Sequence, residues 1–98
     1  MLKQFGSDES VAGYLIDVGV LFGVQGHPEK FIRLVGLAKG LFPDIVKTFV
    51  PFSRIETEKY IKTAHAALGD EAYIAAYEAG KQMSLDKAVA FALKELGQ

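Results

Sequence analysis

Few residues in this chain are of the types that do chemistry, and their spacing is that of helix ends and helix faces. The two histidines, His27 and His65, fall on different predicted elements, without the close helical spacing that puts two metal ligands on one face. His27 reads as a turn residue beside Pro28, and His65 as a surface or edge residue of a helix. Glu56 with Glu58, and Asp70 with Glu71, have the look of paired carboxylates for acid–base work. Each pair sits near the start of a predicted helix, where acids favour the positive end of the dipole, and that structural role accounts for both. Tyr73 and Tyr77 are one turn apart and could stack on a ligand, but the same spacing serves core packing. There is no cysteine, which excludes disulfides, thiolate metal sites and thiol nucleophiles together. Gly80-Lys81-Gln82 lacks both the first glycine and the hydroxyl of a phosphate-binding loop. No acid, base, nucleophile and oxyanion donor are placed to cooperate, so the sequence predicts no catalytic residue, no metal and no cofactor.

The remaining composition narrows the class further. With 98 residues there is room for one domain with a modest core. Half of the chain is hydrophobic and 23% is charged, which is ordinary for a folded domain. Eleven basic and twelve acidic residues give a net charge of -1 with no block of one sign, which argues against a surface that tracks phosphates. Residues 1–10 hold one lysine and no apolar segment, so they do not read as a signal peptide. The apolar run from Val11 to Val24 contains Asp17 and three glycines, and it is shorter than the ~20 residues a membrane span needs. The chain reads as soluble and cytoplasmic, with no membrane partner.

These residues must be positioned by helices. A first helix is expected from about Asp8 to Val24, capped by Ser7 or Ser10, with Asp8 and Glu9 at its positive end. Its apolar residues cover nearly every face, so it is the helix expected to be surrounded. Gly13, Gly19 and Gly23 each cost about 1 kcal/mol of helix propensity against alanine, and close packing of a neighbouring backbone is the expected compensation. Gly26 suits the left-handed residue that ends a helix, and Pro28 the first position of the next. The second helix is expected over Pro28 to about Leu41, with Phe31, Leu34, Val35, Ala38 and Phe42 on one face, Arg33 in water, and Pro43 as the stop. Residues 44–52 form an apolar connector in which Asp44 to Val50 suits a short helix ended by Pro51, with Ile45, Phe49, Val50 and Phe52 covering a helix pair.

Ser53 and Glu56 have the spacing of a capping box, which starts a third helix near Arg54 that runs to Leu68. Its expected inward residues are Ile55, Tyr60, Ile61, Ala64 and Leu68. Gly69 closes it and Asp70 caps a fourth helix, running to about Lys81 and burying Ala72, Tyr73, Ala76 and Tyr77, with Gly80 beginning its end. Ser84 caps a fifth helix from Leu85 to Leu96, with Ala88, Val89, Ala92, Leu93 and Leu96 along one stripe. The last two helices could mimic a helix-turn-helix, but Leu85, Asp86 and the single Lys87 offer a recognition helix little to read bases with. The fold class is all-α.

Leu15, Val18, Gly19, Phe22, Gly26, Pro28, Phe31, Val35, Ala38 and Pro43 fall on the offsets of a tetratricopeptide repeat. Phe31 departs from that pattern, which favours a small residue there. Residues 8–43 thus read as one tetratricopeptide-like repeat, and 53–98 as a degenerate repeat plus a capping helix, because helices three and four do not recur at the ~34-residue period. The whole reads as a single domain of about five helices in antiparallel hairpins, a fragment of a right-handed superhelix, preceded by a lead-in over residues 1–7.

The runs Gln25-Gly26-His27-Pro28-Glu29-Lys30 and Arg33-Leu34-Val35-Gly36-Leu37-Ala38 resemble the last repeat of the C-terminal helical region in large bacterial signalling ATPases and LuxR-type regulators. Leu68-Gly69-Asp70-Glu71-Ala72-Tyr73, Ala76-Tyr77-Glu78-Ala79-Gly80-Lys81 and Met83-Ser84-Leu85-Asp86-Lys87-Ala88-Val89 resemble the end of the same region. The resemblance implies a scaffold that senses a partner or small ligand, while nucleotide hydrolysis and DNA binding belong to other domains. It carries over no catalytic residue.

Two functions are therefore expected. The first is a non-enzymatic protein–protein interaction module, self-associating or part of a bacterial regulator, whose first helix presents Gly13, Ile16, Val20, Gly23 and Val24 to a second copy or to a larger partner. The alternative is a small-ligand sensor with an apolar pocket between helices, lined by Phe22, Phe31, Tyr73 and Tyr77. In neither does the chain contact nucleic acid directly.

Overall fold

The second apolar segment, not the first, is the helix that the others surround. In the computed structural model, which describes residues 8–49 and 51–95 without the side chains of residues 48 and 52, the elements are α1 (Asp8–Val24), α2 (Pro28–Leu41), a short 3-10 helix (Ile45–Thr48), α3 (Pro51–Leu68), α4 (Asp70–Lys81) and α5 (Leu85–Glu95). The fold is all-α, as the periodicity predicts. Pro28 opens α2, Glu29 lies in its first turn and Lys39 in its last, which suits both ends of the dipole. Every α2 residue from Phe31 to Ala38 except Arg33 is buried. α4 and α1 pack most extensively on it, and α3, α5 and the 3-10 helix complete its surroundings.

Three clusters of side chains radiate from α2. Leu34 and Leu37 meet Leu15 and Phe22 of α1 and Ala88 and Ala92 of α5. Ala38 meets Ala12 and Ile16 of α1 with Ile45 and Val46 of the 3-10 helix. Phe31, Ile32 and Val35 meet Ala64 of α3 and Ala76 of α4, with Val20, Tyr60, Ile61 and Tyr77 packed around them. Each fully buried large side chain contributes about 1.5–3 kcal/mol by leaving water, and α2 supplies most of them.

Glycine lets these helices approach. A β-carbon at Gly36 would run into the Tyr77 carbonyl oxygen, and one at Gly80 into the Arg33 carbonyl oxygen, so α2 and α4 cross backbone to backbone at this glycine pair. Gly80 is therefore a buried crossing residue inside α4, which continues to Lys81, and it does not end the helix. Between α1 and α2 the small residues lie on α1 instead: β-carbons at Gly19 and Gly23 would come within 2.8 and 3.1 Å of the Phe31 ring. The expected backbone neighbour at Gly19 and Gly23 is thus chiefly an aromatic side chain, and a large residue at position 31 is accommodated by glycines across from it.

The turns follow their residue types. Gly26 has φ +93°, and the amides of Gly26 and His27 donate to the Gly23 and Phe22 carbonyls, the paired bonds of a Schellman ending. Gly69, at φ +83°, separates α3 from α4. The Ser84 hydroxyl accepts from the Lys87 amide at 3.2 Å and caps α5. α2 ends at Leu41, ahead of Pro43.

Several expectations are corrected. α1 already begins at Asp8, so Ser10 lies inside it, while Ser7 is outside the described residues. α3 begins at Pro51, whose missing N–H suits a first helical position. Pro51 therefore starts a helix where it was expected to end one, and Ser53 and Glu56 lie within α3, where they form no capping box. The connector is a single 3-10 turn; Val50, the Phe52 side chain and Leu96 are outside the described residues. The inward stripe of α3 passes through the buried Thr57 and Ala64, which leaves Ile55 on the opposite side, 60% exposed. Ala72, in the first turn of α4, is exposed, as is much of Leu93. Asp70 is the first residue of α4 and not its cap, a position held by Gly69. Arg33 is not simply in water: its guanidinium lies 5.4 Å from the Phe91 ring centre and donates to Glu29 at 3.1 Å.

Candidate interaction face and cleft

The inward stripe of α1, Ala12, Leu15, Ile16, Gly19 and Phe22, faces α2. What remains opposite is a line of residues spaced three and four apart, Tyr14, Asp17, Leu21 and Val24, which the helical repeat brings onto one face. Tyr14 is 62% exposed, Leu21 45% and Val24 62%. The line is ~15 Å long at 1.5 Å per residue. Asp17 is its only charge.

The expected partner face overlaps this line at one residue. Of Gly13, Ile16, Val20, Gly23 and Val24, Ile16 is fully enclosed. Val20 packs on the α2–α3–α4 cluster, Gly23 lies against Phe31, and Gly13 sits 3.7 Å (measured from an added β-carbon) from Phe49. Only Val24 is open to solvent. The reason is one of phase: the expected face straddles the edge of the buried stripe, and the 3-10 turn and neighbouring helices cover it from within the chain. The open face lies about 90° further round α1.

At the N-terminal end of that line is a cleft of about 370 Å³. Glu9, Gly13, Tyr14 and Asp17 of α1 form one wall, Ile45 and Phe49 of the 3-10 region the other, and Ser53 of α3 closes the third side. Glu9 and Asp17 are two turns apart on the same side of α1, and neither is in an ion pair among the described residues. Partial burial raises the pKa of the Asp17 carboxyl above its ordinary value, although the residue as a whole is exposed. Four other acids are matched, Glu29 by Arg33, Asp44 by Lys47, Glu78 by Lys81 and Glu95 by Lys30 at 2.5 Å, and Asp70 meets His65, whereas Asp8, Glu56, Glu58, Glu71 and Asp86 are, like Glu9 and Asp17, in no ion pair among the described residues. The Lys30 hydrogen bond holds the Glu95 carboxyl below its usual range and ties the end of α5 to α2.

The expected apolar pocket is filled. Phe22 and Phe31 are buried in two different core clusters, so no wall of a cavity is left to them. Tyr73 and Tyr77 line a shallow cleft with Lys39, Ile74 and Glu78, and their rings are 6.0 Å apart. Burial, with the neighbouring Tyr73 and Glu78, pushes the Tyr77 hydroxyl pKa up.

His65 has a partner that spacing alone does not reveal. His65 Nε2 lies 2.7 Å from Asp70 Oδ1, and its ring stacks on Tyr73 with centroids 3.9 Å apart. The left-handed Gly69 folds α4 back so that position 70 meets position 65. Among the described residues there is no group of three metal-ligating side chains, and no helix is long and apolar enough to cross a membrane.

Comparison with protein-family models, with characterised proteins and with solved structures gives no match to this chain.

Proposed function

We propose that this chain is a non-enzymatic helical interaction module that docks a protein through the outer face of α1. The observation that carries this reading is the line of Tyr14, Leu21 and Val24, three large apolar side chains exposed on one side of one helix. Water contact along such a line is unfavourable, and a covering surface removes it. The resemblance to the C-terminal helical region of bacterial signalling regulators supports the same reading, with the chain as a tetratricopeptide-like scaffold working in the cytoplasm.

Placing a photo-crosslinking residue at position 21, with position 71 as an exposed control on α4, tests it in the producing cell. The proposal expects discrete adducts from position 21 that disappear when Val24→Glu is added, and none from position 71. Identical products from both positions contradict it. An adduct of two 10.7 kDa chains would identify a second copy as the cover.

The cleft beside Tyr14 supports a second reading, a small-ligand sensor, at a place other than the filled aromatic quartet. A ligand at about 100 times its dissociation constant stabilises by ~2.7 kcal/mol, so thermal shifts across a small-molecule panel test it. A shift abolished by Tyr14→Ala would favour this reading; no shift in any compound would remove its support.

A further inference from the structure

We infer that the α1 face receives a protein segment carrying a lysine or arginine flanked by apolar residues, with the cation seated in the cleft between Tyr14, Asp17 and Phe49. The inference rests on the proposed docking role of α1 and names the chemistry of the occupant.

Charge on the face decides between occupants. From position 4 to position 29 the chain has no lysine or arginine, so α1 offers only Asp8, Glu9 and Asp17. Glu9 and Asp8 lie in the first turn, where the helix dipole accounts for them. Asp17 has no such account: aspartate is a poor residue for a helix interior, no cation within the described chain meets it, and it stands between the exposed Tyr14 and Leu21. An antiparallel second copy centred on this line would set Asp17 against Leu21 and bury two carboxylates in an apolar seam that brings no lysine or arginine to meet them, and that desolvation disfavours the pairing. A partner with a cation at that point satisfies the carboxylate instead.

The cleft fits the end of such a side chain. Glu9 and Asp17 supply acceptors for ammonium or guanidinium hydrogen bonds, which are strong when both groups are charged. Tyr14 and Phe49, which line the cleft, bring aromatic rings that attract a cation, and the apolar Ile45 beside them suits the aliphatic stem. Leu21 and Val24, one and two turns beyond Asp17, then call for apolar residues at matching distances from the cation. An amphipathic helix with one basic residue in its apolar stripe has this pattern.

The test is selection of binders from a library of random dodecapeptides on the immobilised full chain, followed by affinity measurements with the enriched peptides. Enriched peptides should carry an arginine or lysine three or four residues from apolar ones. Asp17→Asn should weaken them by about tenfold or more, Leu21→Ser should weaken them too, and Glu71→Gln should leave them unchanged. The inference is overturned if nothing is enriched, if the enriched peptides lack a basic residue, or if Asp17→Asn binds them as well as the parent chain. If Leu21→Ser weakens binding and Asp17→Asn does not, the docking face stands and the cationic occupant falls. n-Butylguanidinium competing at the same concentration as the peptides would make this a small-cation site and overturn the protein occupant. A stable dimer in light scattering that Leu21→Ser disperses would make a second copy the occupant and overturn the cationic segment.

Discussion

Asp17 is where the sequence and the structure say the most in one residue. As the lone charge of an apolar helix it is conspicuous in the sequence, but only the structure shows it on the outer line beside a cleft. Because burial raises its pKa, the folded chain holds that proton more tightly than the unfolded chain does. Above the raised pKa the charge therefore lowers stability, and below the ordinary aspartate value both states are protonated and the penalty is absent. Asp17→Asn is expected to raise the melting temperature at about pH 7 and to lose that advantage near about pH 3. Melting curves across that range check the sign. Ile55 teaches the opposite lesson: its apolar side chain suggests core, yet the α3 stripe runs through Thr57 and Ala64 and leaves it in solvent. Ile55→Ser should change unfolding free energy by no more than about 0.5 kcal/mol. A loss of 2 kcal/mol or more, about the size of a core truncation, would put Ile55 back inside.

Among the elements, the α2–α4 crossing sets the architecture. Gly36 on α2 lies against the backbone of Tyr77, and Gly80 on α4 against the backbone of Arg33 and Leu37. Gly36→Ala or Gly80→Ala would press a β-carbon into the opposing backbone, and each should destabilise by about 1–3 kcal/mol, the range of overpacking. Gly40 is a control: the tightest approach to its added β-carbon is the Lys81 Cγ, at 3.1 Å, which can move aside, while the Lys81 Cα at 3.7 Å is at ordinary contact distance. Gly40→Ala should cost little or gain up to about 1 kcal/mol of helix propensity. Denaturant unfolding of the three variants orders them. Ser84→Ala should cost about 1 kcal/mol by leaving the Lys87 amide without its cap. Elements of this kind were legible where one residue type has one use: Gly26, Pro28, Gly69 and Ser84 mark their turns and caps in the sequence as in the structure. The capping box at Ser53 was misread because Pro51, two residues earlier, is an equally good start and competes for the same helix.

For the whole molecule, the all-α class and the order of the five helices can be read from hydrophobic period and helix punctuation. Which helix occupies the centre cannot. α1 is the more apolar of the first two in sequence, but α2 carries the glycine and alanine that admit a second layer, and a helix that can be approached from several sides becomes the hub. With α2 enclosed, the surplus apolar surface of α1 is left outside, and that displacement also explains why the open face of α1 lies at a different angle from the face expected in the sequence. Ile16 lies in the core, and Tyr14 and Leu21, outside the face expected from the sequence, lie at the surface. The Tyr14–Val24 line is the basis of the proposed function, so its exposure is the first thing to establish. The chain contains no cysteine, so a single introduced thiol reports on its own position. We would compare the labelling rates of Leu21→Cys and Ile16→Cys with a maleimide under native conditions. The account predicts that position 21 labels at near the rate of an unfolded thiol. Position 16 should label at least about 100-fold more slowly, the factor set by ~2.7 kcal/mol of opening free energy. Equal rates, or a protected position 21, would contradict it.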